Sequence, residues 1–134
     1  MKKTGSAIEQ DFYDILRSSQ LPGVINGTIY KQGMRPLDAK TEDAVIAFVS
    51  GIDGQIQSGV VVVNVYVPDV VYDGRAYRNS ARCREIETAL NEIIGSINTP
   101  MYDCSLNDMI QTFKEEGLGQ HFVNAKLNFR LITD

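Results

Sequence analysis

What this chain has little of narrows its chemistry before any fold is considered. It has two cysteines, Cys83 and Cys104, too few for a disulfide framework. They lie far apart in sequence, and neither has the close cysteine or histidine neighbour from which structural zinc sites are built. Cys83 falls on an apolar helical stripe and reads as a buried free thiol. There is one histidine, His121. Imidazole titrates near neutrality, which makes it the first suspect for acid–base work. Nothing near it in sequence supplies a nucleophile or an orienting carboxylate, so it reads as structural or solvated. Gly51, Gly54 and Gly59 fit neither G-x-G-x-x-G nor G-x-x-x-x-G-K, and a hairpin explains them better than a phosphate loop. The acidic pairs Glu42–Asp43 and Glu115–Glu116 read as solvated loop charge rather than as a divalent-ion site. The residues therefore point to no catalytic, cofactor-binding or metal-binding group.

A long apolar run is also missing. A membrane span takes about 20 apolar residues. The valine run at 60–67 contains Asn64 and stops at Pro68. Lys2 and Lys3 are followed by Glu9, Gln10 and Asp11 rather than by an apolar core, so no secretory leader is expected and the cytosol is the default. Basic excess is absent too. The net charge is -4, from 13 Lys and Arg against 17 Asp and Glu, which argues against nucleic acid as the main partner. The densest basic group, Arg75, Arg78, Arg82 and Arg84, reads as a solvated helix face. No Lys or Arg occurs between Thr41 and Gly74, as expected of strands shielded from water.

What is present suits one α+β domain spanning 1–134, since 134 residues with 43% apolar content can bury one core. Ser6-Ala7-Ile8-Glu9 predicts a capping box, and Ile8, Phe12, Ile15 and Leu16 share one helical face. Leu21-Pro22-Gly23 is expected to stop that helix. Thr28-Ile29-Tyr30 predicts a short strand after the Asn26-Gly27 turn. Residues 44–49 predict a second strand, turned at Asp53-Gly54. A third runs over 55–67, with Val61, Val63, Val65 and Val67 on one face and Val60, Val62, Asn64 and Tyr66 on the other. Both faces of that strand are largely apolar. One layer of helices covers one face, so the other needs a second helical layer, another sheet or another subunit. Residues 68–77 read as a loop. Asn79 or Ser80 caps a second helix carrying Cys83, Ile86, Leu90, Ile93, Ile94 and Ile97. Residues 105–116 fit a helix ending at Gly117, or a hairpin arm turning at Gly117-Leu118-Gly119. Over 121–132, Phe122, Ala125, Leu127, Phe129 and Leu131 alternate with polar neighbours for most of the length, Val123 breaks the strict pattern, and the segment predicts a last strand. The expected order is helix, three strands, helix, strand or helix, strand, with a mostly antiparallel sheet of four to five strands.

The stretches LPGVINGTIYKQGMRP, TEDAVIAFVSGIDGQIQSGVVVVNVYVPD, CREIETALNEII and GQHFVNAKLNFRLI resemble the small tail-completion or tail-terminator proteins of long-tailed bacteriophages and prophages, over residues 8–132. The resemblance rests on element order and phrases, with no catalytic motif. It implies a first helix, a meandering sheet, a second helix packed across it and a terminal hairpin. It makes 45–49 and 61–67 a central strand pair. It implies a homo-oligomeric ring, often a hexamer, that caps the tail tube and meets the head connector. Tube and connector proteins would be its partners, with no cofactor, no membrane and no specific nucleic-acid binding. Its place would be the virion tail or head–tail junction, assembled in the bacterial cytoplasm. Candidate subunit or partner contacts are Tyr66, Asp69, Tyr72, Asp73, Arg75 and Tyr77. The alternative from another class is a cytoplasmic adaptor or regulatory domain that binds one protein and makes no ring.

Overall fold

Thr4, not Ser6, opens the first helix. Its hydroxyl accepts from the Ala7 N–H at 3.3 Å, and α1 runs Gly5–Arg17. The helix begins ahead of the expected capping box. Ile8, Phe12 and Leu16 are buried as the stripe requires. α1 has already ended at Ser18 before Leu21-Pro22-Gly23 is reached. That tripeptide instead starts a single turn, α2 (Leu21–Val24), with proline in the first turn, where its missing N–H costs nothing.

The computed structural model describes residues 2–53, 56–117 and 119–132. After α2 come β1 (Ile29–Lys31), β2 (Ala44–Asp53), β3 (Gln57–Pro68), β4 (Val70–Tyr72), β5 (Arg75–Tyr77), α3 (Ser80–Gly95), β6 (Tyr102–Leu106), β7 (Gln111–Glu115) and β8 (Gln120–Leu131). The fold class is α+β, as expected. The main sheet has six strands rather than four to five, in the order β1-β2-β3-β8-β6, with β7 also on β8. All pairings are antiparallel except β1 with β2. The expected central pair, 45–49 with 61–67, does pair, and β3 lies at the middle of the sheet with β2 on one side and β8 on the other. Gly54 and Leu118, in two of the expected turns, lie outside the described residues, as does Gln55 at the expected start of the third strand.

β2 continues past Val49 to Asp53 by way of a bulge between Phe48 and Ser50. There Gly51 faces Gly59, and Phe48 and Phe129 close over them: a Cβ on Gly59 would stand 2.1 Å from the Ser50 carbonyl oxygen. Backbones this close leave no room for a side chain.

Residues 105–116 form no helix. β6 pairs with the C-terminal half of β8 and β7 with its N-terminal half, on the same side of the strand. Leu106 faces Leu127 and Gln111 faces Asn124, so residues 107–110 bulge opposite 125 and 126. A helix would have left that edge of β8 without hydrogen-bond partners, and local propensity does not outweigh that loss. The hairpin arm is therefore right, and Gly117 and Gly119 both take left-handed φ beside the turn. β6 was not anticipated as a separate strand.

Both long helices lie on one face of the sheet. α1 packs on β1 and β2, and α3 packs on β3, β6, β7 and β8. Asn79 caps α3 by accepting from the Arg82 N–H at 3.2 Å. Cys83, Ile86, Leu90, Ile93 and Ile94 turn inward from it, and Cys83 is buried as expected. Against them stand Val61, Val63, Val65 and Val67 of β3 and Val123, Ala125, Leu127 and Phe129 of β8. Phe12, Tyr102 and Phe129 meet with ring centroids 4.8 to 5.9 Å apart. The Tyr102 hydroxyl donates to Asp11 at 2.6 Å, and burial together with this bond pushes its pKa well up.

Candidate interaction surface

Among the described residues, the face of the sheet turned away from the helices has no second layer of secondary structure. Val45 and Ala47 of β2, Val62, Asn64 and Tyr66 of β3, Phe122 and Asn124 of β8 and Phe113 of β7 all point to it, by strand alternation and register. Asn124 donates to Asn64 at 2.7 Å across the strands. Phe113, Phe122 and Tyr66 form an aromatic row with successive centroids 5.7 Å apart. The Arg35 guanidinium sits over the Tyr66 ring, 4.3 Å from its centroid. Burial, helped by Glu115 and opposed by Arg35, pushes the Tyr66 hydroxyl's pKa up.

Arg35 belongs to the crossover loop, residues 32–43, that joins the parallel strands β1 and β2. The loop lies along one side of the outer face. With Val45, Ala47, Val62, Tyr66 and Glu115 it lines an open groove of about 550 Å³. Leu37, at the groove's lip, is 91% exposed.

The loop is held down by charged groups that the sequence made look solvated. Asp43 is 1% exposed. It accepts from Arg35 Nε at 2.9 Å, Thr41 Oγ1 at 2.8 Å and the Thr28 N–H at 2.8 Å. Arg35 Nη2 donates to Gln120 Oε1 at 2.9 Å, tying the loop to β8. Glu42 takes both arms of Arg82, at 2.7 and 2.8 Å, and Arg82 also donates to the Val24 carbonyl. Asn26 exchanges hydrogen bonds with Glu42, and Gly27 has no room for a Cβ, which would lie 2.1 Å from Asp43 Oδ1. Glu42–Asp43 is thus a buried, paired joint rather than solvated charge. Arg82 leaves the expected solvated cluster for the same reason.

The Arg82 hydrogen bonds hold the Glu42 carboxyl below its ordinary value of 4.5, against the opposing effect of burial. A carboxylate with a lowered folded-state pKa stabilises the fold above its unfolded pKa, and that stability is lost as pH falls through the folded value. The urea midpoint should therefore fall as pH is lowered from 6 to 3, and Glu42→Gln should be less stable at pH 6 but show a shallower fall. Parallel curves for the two proteins would remove Glu42 from the acid response.

Of residues 68–77, expected as a loop, Pro68 closes β3 and 70–77 form a β-hairpin of their own. β4 pairs with β5 in register Val70–Tyr77 and Tyr72–Arg75. Asp73 (φ 52°) and Gly74 (φ 75°) make its two-residue turn. This two-stranded ribbon is not part of the main sheet, and all six of its strand residues are exposed. Tyr72 is 75% exposed and Val71 74%.

Four of the six expected contact residues, Tyr72, Asp73, Arg75 and Tyr77, come together on the ribbon. Tyr66 lies instead on the outer sheet face under Arg35. Asp69 is internal: its carboxylate meets His121 Nδ1 at 2.6 Å, and its N–H donates to the Gly119 carbonyl at 3.0 Å. This is the orienting carboxylate that sequence did not reveal, because the two residues meet only when β3 pairs with β8. The bond fixes the joint from which the ribbon leaves. Phe113, Phe122, Arg35 and Leu37 were missed as surface residues. The alternation through Phe122 and Asn124 was the available signal.

The Cys104 thiol is pushed up to about 11 by burial and by Asp103, and Cys83 is raised chiefly by burial. Neither is a ready nucleophile at neutral pH. Among the described residues no group of three or more His, Cys, Asp or Glu side chains could hold a metal ion, and no helix is long and apolar enough to cross a membrane. No protein-family model matches this chain, and a search of curated proteins finds no significant match.

Proposed function

We propose that this chain is a non-enzymatic structural protein of a long-tailed phage or prophage. It builds a ring that completes the tail tube or joins it to the head connector. The observation that carries an assembly role is the sheet face left open by both helices. An apolar, aromatic-bearing face with an exposed ribbon beside it is surface that association would bury. The phage setting comes from the resemblance of the strand, helix and terminal-hairpin phrases to tail-completion proteins. The terminal hairpin of β7 and β8 agrees with that pattern. On this reading the protein acts at the virion tail or head–tail junction, assembled in the host cytoplasm, and its partners are tube and connector proteins.

The test is to polymerise a tail-tube protein from the same source as this chain, with and without the purified protein, and view the tubes by negative-stain electron microscopy. The expected result is shorter tubes with a distinct density on one end. Unchanged tube lengths together with no co-sedimentation would overturn the proposal.

A further inference from the structure

The ribbon and the groove are two unsatisfied surfaces of the same chain, and their charges are opposite. A two-stranded hairpin is marginal in water by itself. This one exposes Val70, Val71, Tyr72 and Tyr77 together. It has short anchors: only Asp69 separates it from β3, and only Arg78 and Asn79 separate it from α3. Asp69 is tied to His121 and Gly119, which hold the ribbon's exit beside the start of the helix layer rather than over the groove. The groove on the opposite face is walled by Val45, Ala47, Val62 and Leu37, with Glu115 on its margin. Among the described residues neither Arg75 nor Glu115 makes an ion pair. Arg35, the groove's cation, is already neutralised by Asp43. The groove is therefore left acidic by Glu115, and the ribbon, with Asp73 against Arg75 and Arg78, is left basic.

We infer that the β4–β5 ribbon of one copy docks in the outer-face groove of a second copy, with Tyr72 and Tyr77, which share a ribbon face with Arg75, against the groove wall and Arg75 facing Glu115. The inference rests on the assembly reading above and names its contact. Ribbon and groove are different surfaces, so the contact is head-to-tail. It leaves one free groove and one free ribbon at the ends of every chain of subunits, and repetition closes a ring if the rotation allows. Tyr72 is the aromatic anchor, and the charge pair sets register and partner choice.

The test uses the full chain in sedimentation velocity and light scattering over a concentration series. Wild type should gain mass with concentration. Arg75→Glu and Glu115→Arg should each weaken association about tenfold, because each sets like charges face to face. The two variants mixed in equal amounts should assemble again, since each then meets a complementary neighbour, and the double variant should assemble alone. Tyr72→Ser with Tyr77→Ser should abolish association while leaving the thermal melt unchanged, since both residues are exposed. A wild type that stays monomeric at about 1 mM overturns the contact. So does an assembled wild type whose mass none of these changes moves. Either result leaves the tail reading to the tube experiment, which does not depend on which surface the copies share.

Discussion

Val63→Asp is expected to give an insoluble or unfolded protein. Val63 is fully buried, between Ile46 of β2 and Ala125 of β8, on the face that the helices cover. The substitution removes a buried valine, worth about 1.5 to 3 kcal/mol. It also puts a carboxylate where no donor or cation can reach it, which costs several kcal/mol more. The sum is of the order of the whole stability of a small domain, about 5 to 15 kcal/mol. A buried carboxyl escapes part of that cost by taking a proton, so any folded fraction should grow as pH falls toward 5. Val71→Asp is the control. That residue is exposed on the ribbon, and its replacement should leave the melting temperature within a few degrees of wild type. A soluble Val63→Asp protein with a native circular-dichroism spectrum would mean that β3 turns its other face to the helices.

Asp43→Ala should cost about 3 to 5 kcal/mol, an effect comparable to opening a hole in the core. The carboxylate is the acceptor for Arg35, Thr41 and the Thr28 N–H at once. Removing one partner of a buried ion pair leaves the other charge desolvated and uncompensated. Arg35 keeps its bond to Gln120 and its place over Tyr66, so part of the loss is recovered, and the lower end of the range is favoured. The damage should be local as well as global. Hydrogen exchange over 32–43 should rise by more than the loss of global stability explains, because the loop owes its position to this joint rather than to apolar packing. Asp43→Asn, which keeps an acceptor for Thr28, should be milder. Equal urea midpoints for Asp43→Ala and wild type would show that the loop stays down without the pair.

This joint also shows where reading the chain in order stops being enough. Glu42 and Asp43 stand in a polar stretch, and exposure is the usual fate of adjacent carboxylates. What reverses it is Arg35 reaching back along the loop and Arg82 arriving from α3, 40 residues away in sequence. Neither arrangement has a period or a motif. The ribbon is a different case. Asp73-Gly74 flanked by valines and tyrosines carries a hairpin signal, but strands only three residues long are too short for their alternation to stand out from a loop.

The sequence alone determined the two long helices and the faces of the long strands. A 3.6-residue stripe or a two-residue alternation is written directly into the order of side chains. It told which residues of α1 and α3 turn inward, which residues of β3 share each face, and that β3 carries more apolar surface than one helical layer can cover; in β8 it is Val123, not the expected Phe122, that turns inward. Only the tertiary structure decided what lies beside what. The parallel β1–β2 pair, the β6 and β7 segments sharing one edge of β8, the Asp69–His121 bond and the placing of both helices on one side all depend on neighbours distant in sequence. Periodicity fixes the direction of a side chain. The partner it meets is set by backbone hydrogen bonds that must be satisfied across the whole sheet, and the open outer face is what remains once they are.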